Sequence, residues 1–83
     1  MDNNALNIFR KIKEILQHEM HYINVDMDLE STFIEDLGMD SLDLVELTIK
    51  IETYFNISIS DDQANEVKCI IDLVLLIEEN RVQ

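Results

Sequence analysis

Apolar side chains recur at the spacing of an α-helix in three stretches of this 83-residue chain, and this periodicity constrains the fold most. The first stretch runs from Ala5 to Leu16, the second from Leu44 to Phe55 and the third from Ile70 to Ile77. Strand-like alternation occurs only briefly, over residues 56–60. The sequence therefore predicts an all-α fold.

The length suits one domain over residues 1–83, because a second unit cut from this chain would be too small to form its own core. Ser60 and Gln63 have the spacing of a capping box and predict where a short third helix begins. The predicted fold is a four-helix bundle with a long loop between the first and second helices. Its elements are a helix over about 4–17, the loop over 18–40, and helices over about 41–55, 61–67 and 70–80.

The long predicted loop carries apolar side chains without a helical period, so we expect it to pack onto the core. Thr32 and Glu35 have capping-box spacing and predict a short helical turn within it. Gly38 is the only glycine of the chain, and a residue with positive φ is expected there. The loop side chains predicted to contact the core are Ile23, Val25, Leu29, Phe33, Ile34 and Leu37.

The charge of the chain limits its partners. The formal net charge is −12, which argues against nucleic acid and anionic lipid because both would be repelled. Residues 26–62 contain eleven acidic residues and one basic residue, Lys50, so an acidic face that meets basic protein surfaces is expected.

No stretch of the sequence suggests insertion into a membrane. The uninterrupted apolar run Leu73–Ile77 is far shorter than the roughly 18 residues of a membrane-spanning helix. The first residues lack the basic and apolar segments of a secretory signal. Cys69 has no second cysteine to pair with, which agrees with a reducing compartment. We therefore expect a cytoplasmic protein.

The segment with the most chemical information is EDLGMDSLDLVEL, residues 35–47. It places the Ser41 hydroxyl in the first turn of the second predicted helix, directly after a capping residue, Asp40. A phosphate attached to Ser41 would face backbone N–H groups and the positive end of the helix dipole. For Ser41 taken alone, a serine or aspartate that simply caps a helix is the better explanation.

A longer series of motifs resembles the acyl carrier proteins of the discrete, fatty-acid-synthase type. Glu-Asp-Leu-Gly at 35–38 followed by Asp-Ser-Leu at 40–42 is similar to their modification site. The likeness continues through Val45-Glu46-Leu47, Ile51-Glu52-x-x-Phe55, Ile57-x-Ile59 and Asp61-Asp62.

The resemblance implies that Ser41, flanked by Asp40 and Leu42, receives 4′-phosphopantetheine from coenzyme A through a phosphopantetheinyl transferase. The thiol of the arm would carry acyl groups as thioesters between enzymes of fatty acid, polyketide or specialised lipid biosynthesis. It also implies a carrier that is a substrate of other enzymes and not an enzyme itself. Which pathway and which acyl group remain open.

The second predicted helix carries two apolar stripes. Leu44, Leu47, Ile51 and Phe55 form the first, which is expected to face the core together with Val74 of the last helix. Leu42, Val45 and Ile49 form the second, bordered by Asp40, Asp43, Glu46 and Glu52. An apolar stripe edged by carboxylates suits partners with basic docking patches. The resemblance implies that these partners are the transferase, acyl-loading enzymes and synthase enzymes. Val45 or Ile49 taken singly could instead be peripheral core.

A calcium-binding or acidic protein-interaction module is the alternative function. Acidic and polar residues over Asn24–Glu35 fall at the ligand positions of an EF-hand loop, but Leu29 stands where the sharp turn requires glycine. The ligand positions are Asn24, Asp26, Asp28, Glu30, Thr32 and Glu35.

Two further types of site are weaker predictions. Ser41 and two histidines could suggest a serine hydrolase, but Gly-x-Ser-x-Gly is absent and the chain is short for a triad. His18 and His21 could share a helix face as metal ligands; a role at the end of the first helix, where positive charge is favourable, fits them better. We therefore predict no metal site.

The last predicted helix is apolar on nearly every side. Ile71 and Leu75, four residues apart, could form an outer face that contacts a partner or associates weakly with a second copy. A slight rotation that buries both is the alternative, and we expect a monomer. Cys69 stands near the start of this helix, where similar carriers often have a capping threonine.

Overall fold

The computed structural model describes residues 3–22 and 26–81, and this part of the chain is helical without a β-strand. Its four α-helices and long first loop confirm the predicted all-α bundle, with one short helix in third place. They are α1 (Asn3–Glu14), α2 (Ser41–Phe55), α3 (Asp61–Glu66) and α4 (Ile70–Arg81).

Helix α1 continues into a π-helical turn, Ile15–Glu19, so the first helical segment ends two residues beyond the predicted position 17. The N–H of Met20 donates to the carbonyl of Ile15 at 3.1 Å. This wider turn is compatible with the complete burial of both Ile15 and Leu16. Periodicity alone did not predict the extension, because the pattern of apolar residues stops at Leu16.

The core is mainly aliphatic and lies between α1, α2, α4 and the first loop. Leu47, Ile51 and Val74 are buried in it, as predicted, whereas Leu44 and Phe55 are only half-buried at its edge. The fully buried side chains are Ile8, Ile12, Ile15, Leu16, Phe33, Leu47, Ile51, Ile70, Val74 and Ile77.

Backbone hydrogen bonds join the first loop to the start of α4. The N–H groups of Ile70 and Ile71 donate to the carbonyls of Ser31 and Leu29, at 3.0 and 2.9 Å, and the N–H of Phe33 donates to the carbonyl of Lys68 at 3.0 Å. This segment therefore packs as part of the domain.

This attachment buries some of the apolar side chains of the first loop and leaves others exposed. Phe33 and Leu37 are buried and Leu29 is partly buried, as predicted. The prediction for Ile34 is wrong: its side chain is 56% exposed, because the turn that points Phe33 inward points its neighbour outward. Ile23 and Val25 lie outside the described residues.

The turn before α2 is closed by a different residue from the one predicted. Asp36, and not Glu35, pairs with Thr32: its carboxylate accepts the Thr32 N–H at 2.8 Å, and the Thr32 hydroxyl oxygen accepts the Asp36 N–H at 3.0 Å. The four-residue spacing differs from that of a capping box because Thr32 is not the cap of a regular helix. Gly38 follows with a φ of 74°, as expected.

Helix α4 begins at an acidic cap. The Asp72 carboxylate accepts the N–H groups of Lys68 and Cys69 at 3.0 and 3.2 Å. The hydrogen bond from Lys68 is the main reason why the pKa of Asp72 is lowered below 3.8. Cys69 is a poor cap, so the Asp72 carboxylate supplies the capping hydrogen bonds at the start of α4.

We expect Asp72→Ala to lower the free energy of unfolding at pH 7 by about 0.5–2 kcal/mol, the usual cost of a lost helix cap. Because the folded-state pKa is depressed, the stabilisation is fully present above the unfolded value of 3.8 and is lost as pH falls through the lower folded value. Thermal melts of both proteins from pH 7 to pH 2 should therefore converge at the acid end. A difference in melting temperature that persists unchanged into strong acid would contradict this assignment.

The apolar outer face predicted for the last helix is reduced to one residue. Ile71 packs half-buried against the core, whereas Leu75 is 55% exposed. Among the described residues, no helix is long and apolar enough to cross a membrane.

Candidate functional site

The amino-terminal turn of α2 is fixed by two aspartates. Asp40 is the N-cap: its Oδ1 accepts the Asp43 N–H at 2.9 Å, and the Asp43 Oδ2 accepts the Asp40 N–H at 3.3 Å. This reciprocal pair is a capping box, and it satisfies two N–H groups that a helix start would otherwise leave unpaired. The cap that the sequence predicted at Asp40 is therefore present.

Ser41 is the first residue of α2 and is exposed. Asp40 does the capping, so the serine hydroxyl is not needed for this purpose. A phosphate on its Oγ would lie at the positive end of the α2 dipole, beside the backbone N–H groups of the first turn. The geometry thus suits an attached phosphodiester.

Tyr22 connects the start of the first loop to this turn, which the sequence did not predict. Its hydroxyl donates to the Asp43 Oδ2 at 3.0 Å. Burial, together with the hydrogen bond to Asp43 and the negative charges of Asp43, Asp40 and Glu46, raises the pKa of Tyr22 to about 12. The two partners are separated by 21 positions, and no local motif relates them.

The second apolar stripe of α2 faces solvent. Leu42, Val45 and Ile49 are 77%, 57% and 56% exposed, so neither Val45 nor Ile49 is peripheral core. Glu46 is exposed beside them, whereas Asp43 is half-buried by its contacts. The stripe, Leu42, Val45 and Ile49 with the acids Asp40, Asp43 and Glu46, is called the α2 face below.

Glu52 has a structural partner within the chain. Its carboxylate Oε2 accepts the N–H of Ile59 at 3.0 Å, and its side chain is half-buried. This bond ties α2 to the linker that leads into α3. Glu52 was predicted as a recognition residue together with the acids of the α2 face; here one oxygen of its carboxylate is already engaged.

An open cleft of about 820 Å³ adjoins Ser41. Its walls come from α2, α3, the first loop and α4, and they are mainly aliphatic. Val45 and Ile49 border it as well as being exposed, so the cleft opens toward the α2 face. The apolar residues that line it are Phe33, Ile34, Leu44, Val45, Leu47, Ile49, Ile59, Ala64, Val67 and Leu73.

The calcium-binding alternative gains no support from the structure. Asp28 uses Oδ1 to accept the N–H of Glu30 and the hydroxyl of Ser31, at 3.0 and 3.1 Å, so this carboxylate closes a local turn. Asn24 lies outside the described residues. Over residues 3–22 and 26–81 no three His, Cys, Asp or Glu side chains group to hold a metal ion.

Comparison with known proteins identifies the family. Residues 10–77 match the family model described as the phosphopantetheine attachment site. The acyl carrier protein of Wolinella succinogenes is 42% identical over 74 residues, which cover 89% of this chain and 97% of the relative. The acyl carrier protein of Clostridium acetobutylicum is 39% identical over 67 residues, covering 81% of this chain and 87% of the relative.

A solved structure agrees in fold. The crystal structure of an acyl carrier protein from Thermotoga maritima superposes with a TM-score of 0.86 at 26% identity, covering 94% of this chain and 91% of that one. The chain therefore belongs to the phosphopantetheine-binding family of acyl carrier proteins.

Membership defines what the protein does in general. Acyl carrier proteins are carriers and not catalysts, their cofactor is 4′-phosphopantetheine, and they interact with synthase and modifying enzymes. The bound arm supplies the thiol that the protein's own residues do not have to provide.

Proposed function

We propose that Ser41 is the residue that holds the phosphopantetheine arm. The observation that carries this proposal is the exposed hydroxyl of Ser41 at the start of α2, beside the mouth of an aliphatic cleft. The N-terminal helix dipole suits the phosphate, and the adjacent cleft suits an apolar group at the far end of the arm. Asp40 and Leu42 flank the attachment point.

The other serines of the chain have different surroundings. Ser31 is buried and donates to Asp28, and Ser60 caps α3 by accepting the N–H of Gln63. Ser58 is exposed but lies in the linker between α2 and α3, away from a helix start. Only Ser41 combines exposure with a helix N-terminus and the cleft.

The cleft is proposed to shelter the acyl chain of the loaded carrier. Its aliphatic walls would remove methylene groups from water, at about 0.8 kcal/mol for each one fully buried. Leu47 and Leu73 form its base from the core side, while Val45 and Ile49 form its outer edge. The cargo is therefore expected to be an acyl group of fatty acid, polyketide or related lipid biosynthesis.

The α2 face is proposed to dock the transferase, acyl-loading enzymes and synthase enzymes. Its carboxylates would attract basic patches at long range, and its three exposed aliphatic side chains would form the dry centre of the contact. Ser41 lies at the same end of α2, so docking there brings the arm to a partner's active site. Glu52 is the least suited of the predicted recognition residues, because it lies farthest from Ser41, about 16 Å along α2 at 1.5 Å per residue, and its Oε2 already accepts the Ile59 N–H.

The proposed attachment is tested by intact-mass measurement. Purified protein incubated with coenzyme A and a broad-specificity phosphopantetheinyl transferase should gain the mass of one phosphopantetheine, and peptide fragmentation should place it at residue 41. A protein that gains no mass under conditions where a control carrier is fully converted would refute the proposal.

The docking proposal makes a separate prediction. We expect Glu46→Lys to lower kcat/KM for modification by the transferase about tenfold at low salt, since it replaces an attraction by a repulsion. The loss should shrink as salt rises, with a Debye length near 10 Å at about 0.1 M. Glu79→Lys, the same charge change at an exposed position of α4, is the matched control and should have little effect.

The apolar part of the α2 face can be tested in the same assay. Ile49→Ser should also reduce kcat/KM, but with little dependence on salt. The melting temperatures of the Ile49→Ser and Glu46→Lys proteins should stay near that of the wild type. If Glu46→Lys and Ile49→Ser proteins are modified at wild-type rates, the docking surface lies elsewhere.

We also propose that the carrier acts as a monomer in the cytoplasm. Ile71 is half-buried, so Leu75 has no exposed apolar neighbour at the i−4 position of α4, and the remaining patch is small for self-association. The thiol of Cys69 is free and partly accessible, which is compatible with a reducing compartment.

A further inference from the structure

Tyr22 is fixed by one hydrogen bond from its backbone and one from its side chain. Its backbone N–H donates to the carbonyl of Leu16 at 2.8 Å, at the end of the first helical segment. Its hydroxyl donates to the Asp43 Oδ2 at 3.0 Å, in the first turn of α2. The residue therefore spans from the end of one helical segment to the start of the helix that carries Ser41.

The hydroxyl of Tyr22 acts on the orientation of a carboxylate. Asp43 Oδ2 accepts two donors, the Tyr22 hydroxyl and the Asp40 N–H. Two bonds to the same oxygen restrict rotation of the carboxylate. They leave the lone pairs of Oδ1 for a basic side chain of a partner, since an ionised carboxylate has about four acceptor sites.

The phenol of Tyr22 remains a hydrogen-bond donor at neutral pH. Tyr22 has its pKa raised to about 12, so the phenol keeps its proton and remains a donor. Without that donor, Asp43 would keep its contact with the Asp40 N–H, but its carboxylate would be less restricted in rotation. Tyr22 therefore affects the orientation of the Asp43 carboxylate and not the number of acidic residues on the α2 face.

We propose that Tyr22 is a positioning residue for partner docking, which presents the Asp43 carboxylate to a cationic side chain of the partner enzyme. The inference rests on the proposed docking role of the α2 face. It differs from a purely structural role of Tyr22, in which the hydroxyl would only stabilise the loop.

Steady-state kinetics of modification by a phosphopantetheinyl transferase distinguish the two roles. With the full-length carrier as substrate, Tyr22→Phe should raise KM about three- to tenfold, the range expected from one hydrogen bond of ordinary strength, and should leave kcat unchanged. Tyr54→Phe is the matched control, because Tyr54 is exposed and lies about 20 Å from Ser41 along α2, at 1.5 Å per residue. This variant should have the wild-type KM.

A double-mutant cycle with Asp43→Asn tests the coupling. Asparagine retains a carbonyl oxygen that can accept the Asp40 N–H, but it has no charge to present. In this background Tyr22→Phe should leave KM unchanged, even though it still lowers the melting temperature. The KM effects of the two substitutions should therefore be strongly non-additive.

Each other result overturns the proposal. If Tyr22→Phe lowers only the melting temperature, or raises KM equally with Asp43 and with Asn at position 43, Tyr22 has a structural role alone. If Tyr22→Phe reduces kcat and leaves KM unchanged, it does not act in docking. In all these cases the proposed role of Ser41 stands as long as the transferase modifies the wild-type protein normally. A wild-type protein that is not modified would refute the proposed function itself.

Discussion

Ser41→Ala protein is expected to take up no phosphopantetheine under conditions that convert the wild type completely. The attachment needs a side-chain oxygen that a transferase can reach, and alanine has none. Ser41 is exposed in the first turn of α2, whereas the hydroxyls of Ser31 and Ser60 take part in the local bonds described above. Intact mass after incubation with coenzyme A and transferase measures the loss directly.

The substitution should leave the fold intact, which makes the result easy to interpret. Asp40 and Asp43 form the capping box, so the Ser41 hydroxyl is not the cap of α2, and alanine is favourable in a helix. The free energy of unfolding is expected to change by no more than about 0.5 kcal/mol. Ser58→Ala, at an exposed serine outside the helices, should be modified like the wild type. Retention of the label in Ser41→Ala protein would assign the arm to another residue.

Phe33→Ala should have the largest effect on stability. The Phe33 side chain is 1% exposed, and truncating a buried phenylalanine usually costs about 3–5 kcal/mol through lost burial and the cavity left behind. A small domain has only about 5–15 kcal/mol of total stability. Each kcal/mol corresponds to about 4–8 °C in melting temperature at this size, so a fall of tens of degrees is expected.

Ile34→Ala is the control for that measurement. The adjacent side chain is 56% exposed, and its truncation should change the melting temperature by only a few degrees. Thermal melts followed by far-ultraviolet circular dichroism compare the two proteins. Similar melting temperatures for both variants would show that the first loop does not pack on the core as the structure places it.

Effects on function should follow from the same contacts. Phe33 and Ile34 both line the cleft beside Ser41, so both variants enlarge it. Only Phe33→Ala should also loosen the loop that leads through Gly38 into the capping box. We therefore expect Ile34→Ala protein to be a good substrate of the transferase at temperatures where Phe33→Ala protein is already partly unfolded.

Local features of the sequence were sufficient to predict most of the helices and the location of Ser41 at the start of α2. The 3.6-residue period depends only on neighbours within a few turns, and it gave α2 over the predicted range. The caps at Asp40 and Ser60 are bonds between residues three positions apart. The positive φ of Gly38 is likewise a property of one residue and its turn. Such signals are visible in a sequence because both partners lie in one short segment.

Contacts between distant segments were decided only by the tertiary structure. The Tyr22–Asp43 bond, the bond from Ile59 to Glu52 and the opposite orientations of Phe33 and Ile34 depend on where the first loop and the α2–α3 linker lie on the bundle. An aperiodic loop does not reveal which side chain faces inward, and an acid on a helix surface does not reveal whether a distant donor will reach it. For this reason the sequence predicted Asp43 and Glu52 as similar recognition acids, whereas the fold uses each carboxylate to hold a different part of the chain in place.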